Sequence, residues 1–174
     1  LEGNETIEFQ LSSASGGENA SIGSPSRFMM TLVDDEYGDS PLVLNEVLTD
    51  PPTDDSNTTE VEGDANGDGS RNSSGDEFVE LVNTSSTSLD ISGFTISDNS
   101  GLRHTFAEGS ILSTGGVALV FGGGSPTGDF GGADIITIAT SGNLSLNNTG
   151  DKVIISDKNG NQISEFEWGG STIY

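Results

Sequence analysis

Between residues 42 and 168 the apolar residues come in short clusters, separated by stretches rich in glycine, asparagine, aspartate and serine. β-Branched residues dominate the clusters, and no window sustains the period of about 3.6 residues that marks an amphipathic helix. The pattern therefore predicts strands over residues 42–48, 78–83, 94–97, 102–106, 117–121, 135–139, 153–156 and 163–168. Short strands separated by turn residues are typical of an antiparallel β-sandwich or barrel. The predicted fold class is all-β.

Turn chemistry and side-chain size refine this prediction. Asn159-Gly160 separates two apolar runs and predicts a hairpin, because both residue types tolerate positive φ. Residues 98–101 predict a similar turn. The core is expected to draw on large apolar residues along the whole segment: Leu44, Val47, Phe78, Leu81, Leu89, Phe94, Ile96, Phe106, Leu119, Ile136, Ile138, Leu146, Val153, Ile155 and Trp168.

Residues 1–36 form a separate piece with two strand-like segments, residues 6–11 and 28–33, joined by a loop rich in glycine and serine. Apolar residues alternate along both segments, so one face of the pair needs cover. Two strands do not bury a core of their own. We therefore expect a remnant rather than an independent domain, which pairs with the sandwich edge or with a second copy in a homodimer.

Composition excludes several classes of function. The 28 acidic residues outnumber the 5 basic ones and give a formal net charge of -23, which repels nucleic acids and anionic membrane surfaces. No run of about 18 apolar residues exists to insert into a membrane. Cysteine is absent, so no disulfide can stabilise the fold. Disorder is the alternative interpretation of such a charge, and the regular apolar clusters argue against it.

The strongest chemical signal is the sequence GDANGDG at residues 63–69. Oxygen-bearing side chains at positions one, three and five of a loop, with glycine at six, match the start of an EF-hand calcium loop. Position twelve is Gly75 instead of a bidentate carboxylate, so a later residue would have to supply that ligand. Oxygen ligands without cysteine favour calcium over zinc or copper. The candidate ligands are Asp64, Asn66, Asp68, the Ser70 carbonyl, Asp76 and Glu77, with Asp50 as a further candidate.

The alternative to a calcium site is a solvated turn of glycine and aspartate. Other carboxylates in the same insertion, residues 50–76, favour calcium, because a cluster of like charges needs a counter-cation to become compact. These additional carboxylates are Asp50, Asp54, Asp55, Glu60 and Glu62.

No catalytic set is evident, and the chain is predicted not to be an enzyme. Glu46, Glu77 and Glu80 lie in or directly beside predicted strands without the pocket-forming pattern that an acid–base pair of carboxylates requires. His104 is the only histidine, and no Gly-x-Ser-x-Gly motif accompanies it. The glycines at 122–124 lack the lysine and the helix of a phosphate-binding loop.

Two ordered sets of motifs have counterparts in known families. The first is LEGNETIEFQL at residues 1–11, IGSP at 22–25 and TLVDDE at 31–36. In this order the three pieces resemble the last two strands of a Calx-beta domain. The closing carboxylates of that family can join a calcium cluster, although its other ligands come from strands that precede the segment present here.

The second set runs from LNEVLTDPP at residues 44–52 through DEFVELVN at 76–83, LDISGFTISD at 89–98, HTF at 104–106 and LSLNNTGD at 144–151 to Trp168. In this order the motifs of residues 42–174 resemble the lamin tail domain in its bacterial, extracellular form. The resemblance implies an immunoglobulin-like antiparallel β-sandwich. It also implies that the calcium-type loop is an insertion between the first two strands.

These features indicate a non-catalytic structural or interaction module of a large secreted or cell-surface bacterial protein, stabilised by calcium. The chain begins at Leu1 rather than at a methionine, so we expect it to be part of a larger polypeptide. The alternative is a carbohydrate- or polymer-binding accessory domain of an extracellular hydrolase. Most of the 8 Phe, 2 Tyr and 1 Trp belong to predicted strands, which disfavours that alternative. Nucleic-acid binding, by analogy with nuclear lamin tails, is disfavoured by the charge.

Overall fold

The computed structural model describes residues 5–10, 27–32 and 40–169. Its regular elements are strands and one short 3-10 helix, Phe130–Gly132. The strands are β1 Glu5–Gln10, β2 Arg27–Leu32, β3 Leu42–Leu48, β4 Phe78–Asn83, β5 Leu89–Asp90, β6 Thr95–Ser97, β7 Leu102–Thr105, β8 Ile111–Leu112, β9 Val117–Phe121, β10 Ile135–Ile138, β11 Asp151–Ser156 and β12 Gln162–Trp168.

The chain divides into two compact units, Leu1–Asp39 and Ser40–Tyr174. In the first unit β1 and β2 pair antiparallel, and Arg27 Nη1 donates a hydrogen bond to Glu8 Oε1 at 2.8 Å. The predicted last residues of the two strands, and the acidic run at 34–36, lie outside the described residues. Pairing of this hairpin with the sandwich edge or with a second copy stays a prediction, as does its Calx-beta resemblance.

The second unit is an immunoglobulin-like β-sandwich, which confirms the predicted fold class. One sheet has the strand order β10-β9-β4-β3 and the other β12-β11-β6-β7, while β5 and β8 form a short ladder of their own. Among the described residues one pair departs from the antiparallel pattern, because β10 runs parallel to β9. A parallel neighbour requires a crossover connection, and residues 122–134 supply it.

The core lies between the two sheets and follows the alternation of the strands. On β4 the side chains of Val79 and Leu81 are buried, and on β11 those of Val153 and Ile155 are buried, because every second residue of a strand faces the same side. The full cluster of buried apolar residues is Leu42, Val79, Leu81, Ile91, Ile96, Phe106, Leu112, Ala118, Val120, Ala139, Leu144, Leu146, Val153 and Ile155.

Two predicted core residues are wrong, Ile136 and Ile138, which are 37% and 41% exposed. They share one face of β10, and the alternation of this edge strand turns Ile135 and Thr137 to the opposite, half-buried side. Both faces of a strand with the sequence Ile-Ile-Thr-Ile carry isoleucine, so the sequence pattern does not predict which face is buried.

The outer face of β9, which carries Leu119 and Phe121, is also covered. Burial of Leu119 was predicted, whereas burial of Phe121 was not. Phe121 is 1% exposed and packs edge-to-face against Phe78, with the ring centroids 5.8 Å apart. Phe130, from the connection between β9 and β10, covers it from the other side at 5.3 Å. The β9–β10 connection therefore packs against the sheet next to the predicted calcium loop.

Candidate metal-binding loop

The predicted loop lies in the long connection between β3 and β4 and folds around its own side-chain oxygens. Asp64 accepts hydrogen bonds from two backbone amides, that of Asp68 at 3.1 Å and that of Gly69 at 2.8 Å. Asn66 Oδ1 accepts the Asp68 amide as well, at 3.0 Å. Gly69 has φ +90°, a conformation that side chains disfavour. Positions one, three, five and six of the calcium-type motif thus form one tight turn.

Asp68 links this turn to the connection between β9 and β10. Its Oδ1 accepts the amide of Ser70, and its Oδ2 accepts the amide of Ser125, both at 3.1 Å. Asn66 is 1% exposed, and its Nδ2 donates to the carbonyl of Gly123 at 3.1 Å. Protein hydrogen bonds alone therefore hold the turn against a second segment, residues 123–127.

Asp76 connects the turn to the residues that follow it in the loop. Its side chain is fully buried, with Oδ1 accepting the amide of Asn66 at 3.0 Å and Oδ2 accepting the amide of Asn72 at 2.6 Å. Each carboxylate oxygen can accept one further hydrogen bond. The structure brings Asp64, Asn66, Asp68 and Asp76 into one hydrogen-bonded unit.

Glu77 belongs to a different part of the domain. Its carboxylate is 4% exposed and accepts the amide of Leu146 at 3.2 Å, in the segment that precedes β11. Burial raises the pKa of Glu77 to about 7, and the amides of Leu146 and Ser145 oppose this only in part. Asp76 and Glu77 are adjacent in sequence, but Asp76 accepts hydrogen bonds from the candidate metal-binding loop and Glu77 accepts one from the segment before β11.

Three of the additional carboxylates of the insertion, Asp54, Asp55 and Glu62, accept hydrogen bonds within it. Glu62 accepts the Thr58 hydroxyl at 2.6 Å and the Asp55 amide at 2.9 Å, which lower the pKa of Glu62 to about 2. Asp50 and Glu60 are exposed. Across the described part of the chain, no three side chains among histidine, aspartate and glutamate converge on a point that could hold a metal ion. A cation at the turn would therefore depend on the Asn66 amide oxygen and backbone carbonyls beside the carboxylates.

Gly124 offers a test of how closely the second segment approaches the turn. A Cβ at this position would lie 2.3 Å from Asn66 Nδ2 and 2.5 Å from Asp68 Oδ2, and the residue has φ +79°. We expect Gly124→Ala to lower the free energy of unfolding by about 2 kcal/mol, half of it from the backbone conformation. Urea unfolding measures the loss. Gly109→Ala is the matched control, because Gly109 has φ +83° and open space around it; equal losses in the two variants would contradict the close approach.

The family model of the lamin tail domain matches residues 36–170, which is most of the chain. The chain belongs to the lamin tail domain family. A search of curated proteins found no match to the chain. The family is one of non-catalytic immunoglobulin-like domains, so this lamin tail domain fits a structural or interaction module. The match begins at Glu36, the last residue of the segment compared with a Calx-beta domain, and leaves residues 1–35 outside it.

A buried polar cluster of this lamin tail domain escaped the sequence analysis. Arg103 binds Asp98 through Nε at 2.8 Å and through Nη2 at 2.5 Å, and Asp98 is 5% exposed. Asp151, 6% exposed, accepts the amides of Asn99 and Asn147 at 3.3 and 3.1 Å. Burial acts to raise the pKa of Asp151, but these amides and that of Lys152 outweigh it, and the pKa is lowered. The cluster fixes the turn between β6 and β7 against the start of β11.

Of the remaining catalytic candidates of this lamin tail domain, Glu46 and Glu80 lie opposite each other on β3 and β4, and His104 lies on the other sheet. His104 is buried in β7 against Phe106, with ring centroids 4.6 Å apart. Glu80 accepts a hydrogen bond from Asn45 at 2.5 Å, beside Glu46 on the neighbouring strand. The glycines at 122–124 hold the turn through backbone contacts. Among the described residues no helix is long and apolar enough to cross a membrane.

Proposed function

We propose that this lamin tail domain is a calcium-stabilised structural or interaction module of a large secreted or cell-surface bacterial protein. The observation that carries the proposal is the turn at residues 64–69. The side-chain oxygens of Asp64 and Asn66 accept hydrogen bonds from the backbone amides of Asp68 and Gly69, and the residue types at these positions match the first half of an EF-hand loop. The β-sandwich supplies the rigid scaffold, and the family match supports a non-catalytic role.

The chemistry of the donor set fits a hard cation. Asp64, Asn66 and Asp68 would supply side-chain oxygens and Ser70 its carbonyl, which is the oxygen-only environment that calcium prefers. Asp76 would add a further oxygen only after a shift of the loop, since no three carboxylates converge on one point among the described residues. The ion would neutralise carboxylates that otherwise repel one another. The residues of this chain hold the turn in shape through Asp76 and the 123–127 segment, so the ion would add to an ordered loop rather than create it.

The site also supports the proposed location. EF-hand-type loops of extracellular modules bind calcium with dissociation constants of about 10⁻⁴–10⁻³ M, which suits surroundings where calcium is abundant. A loop that lacks the bidentate carboxylate at position twelve, as this one does with Gly75, belongs at the weak end of the range. An acidic surface of net charge -23 further favours divalent cations over anionic partners.

We expect isothermal titration with calcium to give a saturable heat with a dissociation constant of about 10⁻⁴–10⁻³ M. The double variant Asp64→Ala/Asp68→Ala should lose this heat. Glu108→Ala/Glu167→Ala is the matched control, because it removes two exposed carboxylates that lie outside the loop and outside the β9–β10 connection, and it should bind as the unmodified protein does. At a calcium concentration about 100 times the dissociation constant the melting curve should show a stabilisation of about 2.7 kcal/mol. Absence of heat in the unmodified protein, or equal heat in the double variant, would contradict the proposal.

One observation favours the carbohydrate-binding alternative. Phe166 and Trp168 on β12 stack with centroids 5.8 Å apart, and Phe166 is 49% exposed. Exposed aromatic faces are suitable surfaces for sugar rings. A pull-down with insoluble polysaccharides, using the unmodified protein and Phe166→Ala, tests it; retention of the unmodified protein alone would favour the alternative.

A further inference from the structure

The sandwich has two free strand edges on the same side. β3 ends one four-stranded sheet and β12 ends the other, and no strand in the described part of the chain pairs with their outer edges. A groove of about 330 Å³ lies between them, lined by residues 44–47 of β3 and 164–166 of β12. An unpaired edge presents free amide and carbonyl groups to any extended chain beside it.

Apolar side chains of the core-facing sides reach the surface in this groove. In the strand registers Leu44 is opposite Leu81, Val47 opposite Val79, and Phe166 opposite Val153. The three partners are fully buried, and directly opposite residues share a face of the sheet. Leu44 and Val47 are nevertheless only half-buried, and Phe166 is 49% exposed. The hydrophobic interior is therefore open along this side.

The two edges are not equally suited to accept a strand. β3 has an irregularity between Leu44 and Glu46, and such a bulge interrupts the ladder and bends the strand. β12 is regular against β11 from Ser164 to Trp168. A strand added to β12 would lie over the groove and could direct alternate side chains toward Leu44, Val47 and Phe166.

Charge decides what kind of chain fits. Glu46 and Glu165 line the groove, and the exposed Glu167 follows on β12. Lys152, on the neighbouring strand β11, is already paired with Glu165 at 3.2 Å. A second copy of this chain would bring another formal charge of -23 to the interface, which opposes self-association. A chain with lysine or arginine between its apolar residues has the complementary charge.

We propose that the groove between β3 and β12 binds an extended cationic segment of a partner protein, which adds as a strand to β12. Main-chain hydrogen bonds along β12 would provide general affinity. Apolar side chains in the groove and basic side chains near Glu46 and Glu167 would provide selectivity. The inference is independent of calcium, since no residue of the groove belongs to the candidate metal loop.

The probe is a displayed pool of peptides that alternate lysine or arginine with apolar residues, selected against the whole chain at moderate salt. Selected peptides are then measured by titration with three variants. Phe166→Ala should weaken binding about tenfold, as loss of a central aromatic anchor does. Glu46→Gln/Glu167→Gln should weaken it several-fold and reduce its salt dependence. Leu102→Ala, which removes an apolar residue that is 56% exposed on another strand, is the control and should bind normally.

A second probe separates strand addition from simple charge attraction. Methylation of alternate backbone nitrogens in a selected peptide keeps its charge and side chains but blocks the main-chain hydrogen bonds, and binding should be lost. Equal binding of the methylated peptide, equal loss in Leu102→Ala and Phe166→Ala, or a pool with no groove-dependent binder would overturn the proposal. So would a dimer that Phe166→Ala abolishes, or polysaccharide retention that depends on Phe166 without peptide binding, because each identifies a different occupant.

Discussion

Replacing Asp76 with alanine is expected to lower the free energy of unfolding by about 3 kcal/mol, the largest loss for any single residue of the candidate loop. The carboxylate is fully buried and accepts the amides of Asn66 and Asn72. Its removal leaves the buried Asn66 amide and the part-buried Asn72 amide without partners, and a buried unsatisfied donor costs about 1–3 kcal/mol. Urea unfolding in the presence of a calcium chelator measures the loss, because the chelator removes any contribution from a bound ion.

Two further variants identify the cause of this loss. Asp76→Asn keeps one acceptor oxygen and should lose about half as much stability. Asp68→Ala frees two amides, those of Ser70 and Ser125, that lie near the surface where water replaces the lost acceptor. It should therefore cost less than about 1 kcal/mol in chelator. If Asp76→Ala and Asp68→Ala lost the same stability in chelator, the buried hydrogen bonds of Asp76 would not be the main stabilising contacts of the loop.

The difference between these two aspartates explains why the sequence predicted the loop but not its internal organisation. The spacing of Asp64, Asn66 and Asp68 is local, and local side-chain-to-backbone hydrogen bonds depend mainly on such spacing. The role of Asp76 depends on a partner ten positions away, at Asn66. Glu77 differs from Asp76 because it accepts the amide of Leu146, a residue far along the chain that comes close only when the sandwich has packed.

The same distinction holds for the fold. β3, β4 and β9 have the predicted bounds, because their apolar runs are bounded by turn residues. β5 and β8 have two residues each, too few for any periodicity. Phe121 was not predicted as a buried residue, because the side chain that covers its outer face, Phe130, comes from a connection without strand pattern. Pairing partners and covered outer faces are properties of the assembled sheets.

Two buried titratable groups are expected to give the domain an unusual dependence of stability on pH. Burial raises the pKa of Glu77 from its ordinary 4.5 to about 7. Its contribution to stability is therefore full below pH 4.5 and is lost as the pH rises through 7. Burial lowers the pKa of His104 from 6.5 to about 4, so its contribution is full above pH 6.5 and is lost as the pH falls through 4.

Between about pH 4.5 and 6.5 these two effects have opposite slopes and should nearly cancel. In that window the folded state holds one proton more than the unfolded state at Glu77 and one fewer at His104. Carboxylates near the surface whose pKa values are lowered, such as Asp55, Glu62 and Asp157, contribute mainly below this window. The buried pair can therefore be separated from the general acid denaturation of the domain.

Glu77→Gln is expected to remove the contribution of Glu77 to the pH dependence of the free energy of unfolding, so that only the contribution of His104 remains. The amide stays neutral, so the variant should be more stable than the unmodified protein at about pH 8 by about 3 kcal/mol, the free-energy equivalent of the rise in pKa from 4.5 to about 7. Below pH 6.5 it should lose stability with acid, because His104 then acts alone. His104→Leu is the complementary variant and should lose stability steadily from pH 4.5 to 8. Urea unfolding across this range measures all three proteins, and parallel pH profiles for them would mean that neither group titrates differently in the folded and unfolded states.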